Sequence, residues 1–115
     1  MLVKYKKKIA ILGVGYVGLP LAIELSKFYR IVAYDENIYK IKNLINGIDN
    51  NNQYNPREIL KSKIKFSYDR NDLAGSNFFI VCVPTPINYK KLPKLTFLKK
   101  ACITIGRTIK KKDTV

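Results

Sequence analysis

Glycines at positions 13, 15 and 18 stand between an apolar run, Lys8 to Leu12, and a stretch whose apolar residues recur at helical spacing. No other feature narrows the fold of this chain as much. A strand that ends in a tight glycine turn and passes directly into a helix is the first half of a parallel crossover. Arg30 to Tyr34, rich in β-formers, supplies the second strand, so the unit closes in about 30 residues, the size such a crossover needs. The helix is expected from Tyr16, with Val17, Leu21, Leu25 and Phe28 on its apolar side. Pro20 falls near its start, where the missing N–H is one of the unpaired donors anyway.

The remaining chain continues the alternation. Ile38, Ile41, Leu44 and Ile45 predict a second helix stopped by Gly47, and the Asn-rich stretch from Ile48 to Asn55 reads as a loop. Pro56 opens a short helical turn through Leu60, and Ile64 and Phe66 alternate with polar residues as a weak edge strand. Phe78 to Val83 is apolar on both faces, as a central parallel strand requires. Pro84, Thr85 and Pro86 end it, and a basic, proline-punctuated loop runs to Lys94. In the last helix Leu98, Cys102, Ile105 and Ile109 form one apolar stripe, which makes Cys102 a core residue. Asp113 to Val115 looks like the first step of another strand. The expectation is one α/β domain over residues 1–115, a Rossmann-like doubly wound parallel sheet of order 3-2-1-4, cut off before its fifth strand. On that reading the outer edge of Phe78 to Val83 lacks a partner, so salt-dependent self-association is expected.

The chemistry follows from the same glycines. Gly13 permits the tight turn, Gly15 leaves room for an approaching pyrophosphate, and Gly18 lets the helix pack close to the strand, while the N–H groups of Tyr16 and Val17 face the anion. Asp35, at the end of the second strand, has the position and charge to accept both adenosine ribose hydroxyls and to repel a 2′-phosphate, which favours NAD over NADP. A plain helix-capping role competes with that reading. Lys40 is one turn into the next helix and either reaches the ribose or is solvated. Thr85, at the carboxyl end of the central strand, offers a hydroxyl to the cofactor or serves only the turn. Cys82, inside an apolar strand with no partner to lower its pKa, is not expected to act as a nucleophile.

Composition removes other function classes. The longest apolar run is far short of the ~20 residues of a membrane-spanning helix. The basic start, Met1 to Lys8, imitates a signal peptide, but Gly13, Gly15, Pro20 and Glu24 follow where a longer apolar region and cleavage site belong, so a cytoplasmic chain is expected. Net charge is +14, from 22 basic and 8 acidic residues. Such a charge attracts polyanions. Yet Arg, the preferred reader of bases, occurs only at positions 30, 57, 70 and 107, so no specific nucleic-acid partner is expected. Two cysteines and no histidine leave no metal site and no disulfide framework.

Two stretches carry a family resemblance. KIAILGVGYVGLPLA, from Lys8 to Ala22, and FIVCVPTPI, from Phe79 to Ile87, resemble the N-terminal signatures of the UDP-glucose/GDP-mannose dehydrogenase family, and most resemble its UDP-N-acetylhexosamine 6-dehydrogenase branch, which includes the Vi-polysaccharide type. Pro84 to Val115 runs similarly, with departures at Asn88, Lys94 and Phe97. The resemblance implies NAD-dependent oxidation of the CH2OH of a UDP-sugar to a carboxylate, for polysaccharide biosynthesis, by an enzyme expected to form a homo-oligomer. It places cofactor contacts on Tyr16, Val17, Asp35, Lys40 and Thr85. It places no catalytic residue in this chain, since the family's catalytic Cys, Lys and Asn lie further downstream; the chain alone is therefore expected to be inactive. A non-catalytic remnant, or a basic module binding anions through its surface charge, is the alternative.

Overall fold

A computed structural model describes residues 7–115; Met1 to Lys6, most of the basic start weighed above, lie outside the described residues. Four parallel strands, β1 (Lys8–Leu12), β2 (Arg30–Tyr34), β3 (Lys65–Ser67) and β4 (Phe78–Val81), form one sheet of order β3-β2-β1-β4. Its register sets Leu12 beside Tyr34 on one side and Val81 on the other. Three helices, α1 (Gly18–Leu25), α2 (Ile38–Ile45) and α3 (Pro56–Lys61), precede β4, and α4 (Thr96–Gly106) follows it.

Side chains alternate across a strand, so each strand supplies two cores. Ile9, Ile11, Ile31 and Ala33 pack with Leu19, Ala22, Ile41, Leu44 and Ile59 from α1, α2 and α3. On the other face Ala10, Leu12, Val32 and Phe79 meet Ala101 and Ile105 of α4 and Leu73. Leu73 is fully buried at the end of a 3-10 turn, Arg70–Leu73, that short-range periodicity does not reveal. No helix among the described residues is long and apolar enough to cross a membrane.

Strand order, the three predicted helices and the short Pro56 helix agree with the sequence reading, and several details do not. The first helix starts at Gly18, so Tyr16 and Val17 belong to the turn, and Val17 and Phe28 are exposed rather than apolar-face residues. In α2 only Ile41 and Leu44 are buried, while Ile38 and Ile45 face solvent. The last helix presents Ala101 and Ile105 to the sheet, which turns Cys102 outward; Cys102 is exposed and not a core residue, and Ile109 lies beyond the helix end. A small alanine lets the helix approach the sheet closely, and the stripe of larger residues misleads because burial follows the docking face rather than side-chain size. β4 stops at Val81, although the Cys82 N–H still donates to Leu12 O at 2.7 Å. Finally, the outer edge of β4 is not wholly open. Thr114 forms a parallel bridge with Phe78, donating to Asn77 O and accepting from the Phe79 N–H at 2.9 and 2.8 Å, which is the strand start expected at Asp113 to Val115.

Candidate functional site

The glycine turn is tied to both neighbouring strands. The Gly13 N–H donates to Tyr34 O at 2.8 Å, and Gly13 has φ +99°, a backbone state that disfavours any side chain. A Cβ on Gly13 would also lie 2.7 Å from the Cys82 carbonyl group. At Gly18 a Cβ would stand 1.8 Å from the Gly13 carbonyl oxygen, so only glycine lets α1 begin this close to the end of β1. Gly15 is different, since a Cβ there meets nothing within 4 Å. That open space lies where a dinucleotide's phosphates would approach.

No side chain caps α1 at Val17, and the N–H groups of Tyr16 and Val17 have no acceptor among the described residues. Unpaired donors and the helix dipole together make this end of α1 attractive to an anion. The absence of a Ser, Asp or Asn cap is thus a local rule broken where a ligand would complete it.

Asp35 carries more than sequence reading assigned to it. Its Oδ2 accepts from the Val14 N–H at 3.0 Å and from Lys40 Nζ at 3.3 Å, and its Oδ1 accepts from the Asn37 N–H at 2.9 Å. The carboxylate therefore clamps the glycine turn to the end of β2. It does not cap α2, a role taken by Asn37, whose side chain accepts from the Lys40 N–H. A carboxylate has roughly four acceptor positions, so three are taken and one on Oδ1 stays free.

These residues share one cleft of about 460 Å3 at the carboxyl ends of the strands. Gly13, Gly15, Tyr16 and Val17 form its floor, Asp35 and Lys40 one side, and Thr85 with Cys82 and Val83 the other. Gly18 sits behind, shaping the turn without lining the cleft. Burial pushes the Cys82 thiol above the ordinary cysteine range, which keeps it protonated and unsuited to nucleophilic attack.

Two groups of lining residues escaped the sequence reading. The Asn-rich loop closes one side of the cleft through Ile48, Asn50 and Asn51, and it is shaped by Asp49, a buried carboxylate that accepts N–H bonds from Asn51, Gln53 and Tyr54. An Asp at the head of a polar run is the available signal, because Asp readily hydrogen-bonds backbone a few residues ahead. A second cleft of about 580 Å3 opens on the α4 side, sharing Gly13, Asp35, Lys40, Val83 and Pro84 with the first. Phe97, Lys100 and Ala101 wall it, and Lys100 pairs with Glu36 at 3.6 Å. That juxtaposition joins the loop between β2 and α2 to α4 and leaves no mark in local sequence.

Comparison with known proteins agrees with this geometry. The UDP-glucose/GDP-mannose dehydrogenase family, NAD binding domain, matches residues 7–115. The chain is 44% identical over 109 residues to a UDP-N-acetyl-D-glucosamine 6-dehydrogenase of Pseudomonas aeruginosa, covering 94% of this chain and 26% of that protein. A solved UDP-D-ManNAc dehydrogenase from Pyrococcus horikoshii superposes with a TM-score of 0.80 at 35% identity over 92% of this chain and 27% of the other. The UDP-N-acetyl-mannosamine dehydrogenase of Staphylococcus aureus gives 0.77 at 30% identity, with 93% and 27% covered. The chain thus spans about a quarter of the length of the relatives it matches. With this Rossmann-like sheet, and with the family's match running through every described residue, the chain belongs to the UDP-glucose/GDP-mannose dehydrogenase family and matches its NAD binding domain.

Proposed function

We propose that this chain binds NAD across the carboxyl ends of β1, β2 and β4, as a cofactor-binding part of a nucleotide-sugar 6-dehydrogenase in polysaccharide biosynthesis. The observation that carries this reading is the glycine turn itself: free N–H groups at Tyr16 and Val17, open space at Gly15, and Asp35 held beside them by the Val14 N–H. Tyr16 and Val17 hold the pyrophosphate, Asp35 and Lys40 the adenosine ribose, and Thr85 donates its hydroxyl from the opposite wall. Bound NAD supplies the hydride acceptor for oxidation of an alcohol carbon. The protein's part here is to orient the dinucleotide, with no catalytic side chain among these residues. The relatives' names point to a UDP-sugar as substrate, and cytoplasmic location, homo-oligomer formation and the lack of a specific nucleic-acid or membrane partner belong to the same reading.

Calorimetric titration with NAD, NADP and an unrelated polyphosphate tests it. Saturable NAD binding, clearly tighter than NADP and retained at physiological salt, is expected. Equal, salt-abolished binding of all three would instead support an anion-binding module acting through the net charge of +14.

A further inference from the structure

At the other end of the strands a third cleft, about 310 Å3, opens where β1, β2 and β3 begin. Lys8, Arg30, Lys63 and Lys65 line it, with Ser26 and Tyr29. The register brings three of these cations to one face: Lys8 lies opposite Arg30, and Val32, two residues on, lies opposite Lys65. One carboxylate answers them, since Asp72 pairs with Lys65 at 3.1 Å. Lys8 Nζ donates to the carbonyl oxygens of Asp72 and Ala74 at 2.8 and 2.7 Å, which leaves one of its three N–H groups free. Arg30 and Lys63 have no ion pair among the described residues. Burial, then the charges of Arg30 and Lys65, push the Lys8 ammonium below the ordinary lysine range. Positive charge is concentrated here beyond what Asp72 offsets.

We propose that this cleft is a binding site for a di- or triphosphate group, separate from the dinucleotide cleft. A concave site whose four cations come from three segments of the chain matches a compact polyanion with several oxygens to satisfy. Arg30 adds a planar fork suited to phosphate oxygens. Lys8 precedes Gly13 by five residues of extended chain, roughly 16 Å at strand rise, so one pyrophosphate cannot occupy both places. Binding there relieves the repulsion around Lys8 and, being confined to the folded chain, raises its stability. The proposal does not depend on NAD binding.

Titration of the 115-residue chain with inorganic pyrophosphate and with UDP, each followed by backbone amide NMR and thermal unfolding, tests it. The expected result is saturable 1:1 binding with shifts at residues 26–32 and 63–65, unchanged when NAD is added, and a melting temperature about 5 °C higher at tenfold excess over Kd. Arg30→Ala combined with Lys63→Ala removes two exposed cations and should weaken binding about tenfold or more. Lys99→Ala combined with Lys111→Ala removes the same charge elsewhere and should leave it within about twofold. If the first pair proves unstable, Arg30→Gln with Lys63→Gln carries the same comparison. UDP binding tighter than pyrophosphate, with a Tyr29 shift, assigns the site to nucleotides, and equal binding assigns it to free phosphate chains. Equal weakening by both charge-matched pairs, shifts confined to residues 13–17 and 35, or a failure to saturate would each overturn the proposal.

Discussion

Asp35 serves two demands that compete for one carboxylate. It holds the glycine turn through the Val14 N–H and is itself held by Lys40, with a side chain only 13% exposed. Asp35→Asn keeps the shape and removes the charge. NAD affinity should fall by an amount worth about 1–3 kcal/mol, discrimination against NADP should shrink, and the turn should loosen. Titration with both cofactors checks this; a variant that bound them as the parent does would take Asp35 out of the site. The two cysteines provide a second test. Cys102 is exposed, whereas Cys82 is half-buried with its thiol pKa raised by that burial. A thiol-specific reagent should therefore modify Cys102 first and Cys82 slowly, and saturating NAD should slow Cys82 alone because that residue lines the cofactor cleft. Equal rates for the two thiols, or a Cys82 rate indifferent to NAD, would contradict the assignment.

Among the elements, the loop between α2 and α3 shows how one side chain organises a polar segment. The residues from Asp49 to Tyr54 include no helix or strand, yet three of their N–H groups converge on the Asp49 carboxylate at 3.0, 2.8 and 3.1 Å. Asp49→Ala leaves those donors without their acceptor, at a cost of about 1–3 kcal/mol. Hydrogen exchange should show protection lost at Asn51, Gln53 and Tyr54 while β1 keeps its own. Retained protection in the loop would mean that its order comes from elsewhere. The contrast with α1 is instructive. There the helix start has no side-chain cap, and the Tyr16 and Val17 N–H groups have no acceptor among the described residues.

At the level of the whole molecule, two conditions set behaviour. Hydrogen bonds from Ser67 and Lys65 hold the Asp72 carboxyl below its ordinary value of 3.8. A carboxylate whose folded pKa is depressed contributes stability that is present above its unfolded pKa and lost as pH falls through the folded one. Melting temperatures of the parent and Asp72→Asn should therefore differ at neutral pH and converge below about pH 4. A gap that stayed constant down to about pH 2 would mean that the charge of Asp72 is not its source. The second condition is salt. Thr114 covers the outer side of β4 at Phe78 and Phe79, and beyond Phe79 that side has no partner among the described residues. The net charge of +14 opposes association until salt screens it, over a Debye length of about 8 Å at physiological strength. Size-exclusion chromatography across a salt series should show growing self-association; a sharp monomer peak at every salt would show that the short bridge suffices to protect the edge.

Sequence alone determined the alternation of strands and helices and the glycine turn with Asp35 beyond it. These depend on periodicity, on backbone freedom at Gly13 and Gly18, and on spacing within one crossover, all of which are local. Tertiary structure decided what required two segments to meet. It turned α4 so that Ala101 and Ile105 are buried and Cys102 is exposed, because helix docking depends on the face the sheet receives. It gave the Asp35 carboxylate three donors at once, from the turn and from both ends of the first turn of α2, and it folded the Asp49 loop over the cleft. It also gathered Lys8, Arg30, Lys63 and Lys65 at one end of the sheet from positions as far as 57 residues apart, a charge cluster set by strand register and therefore invisible until the strands pair.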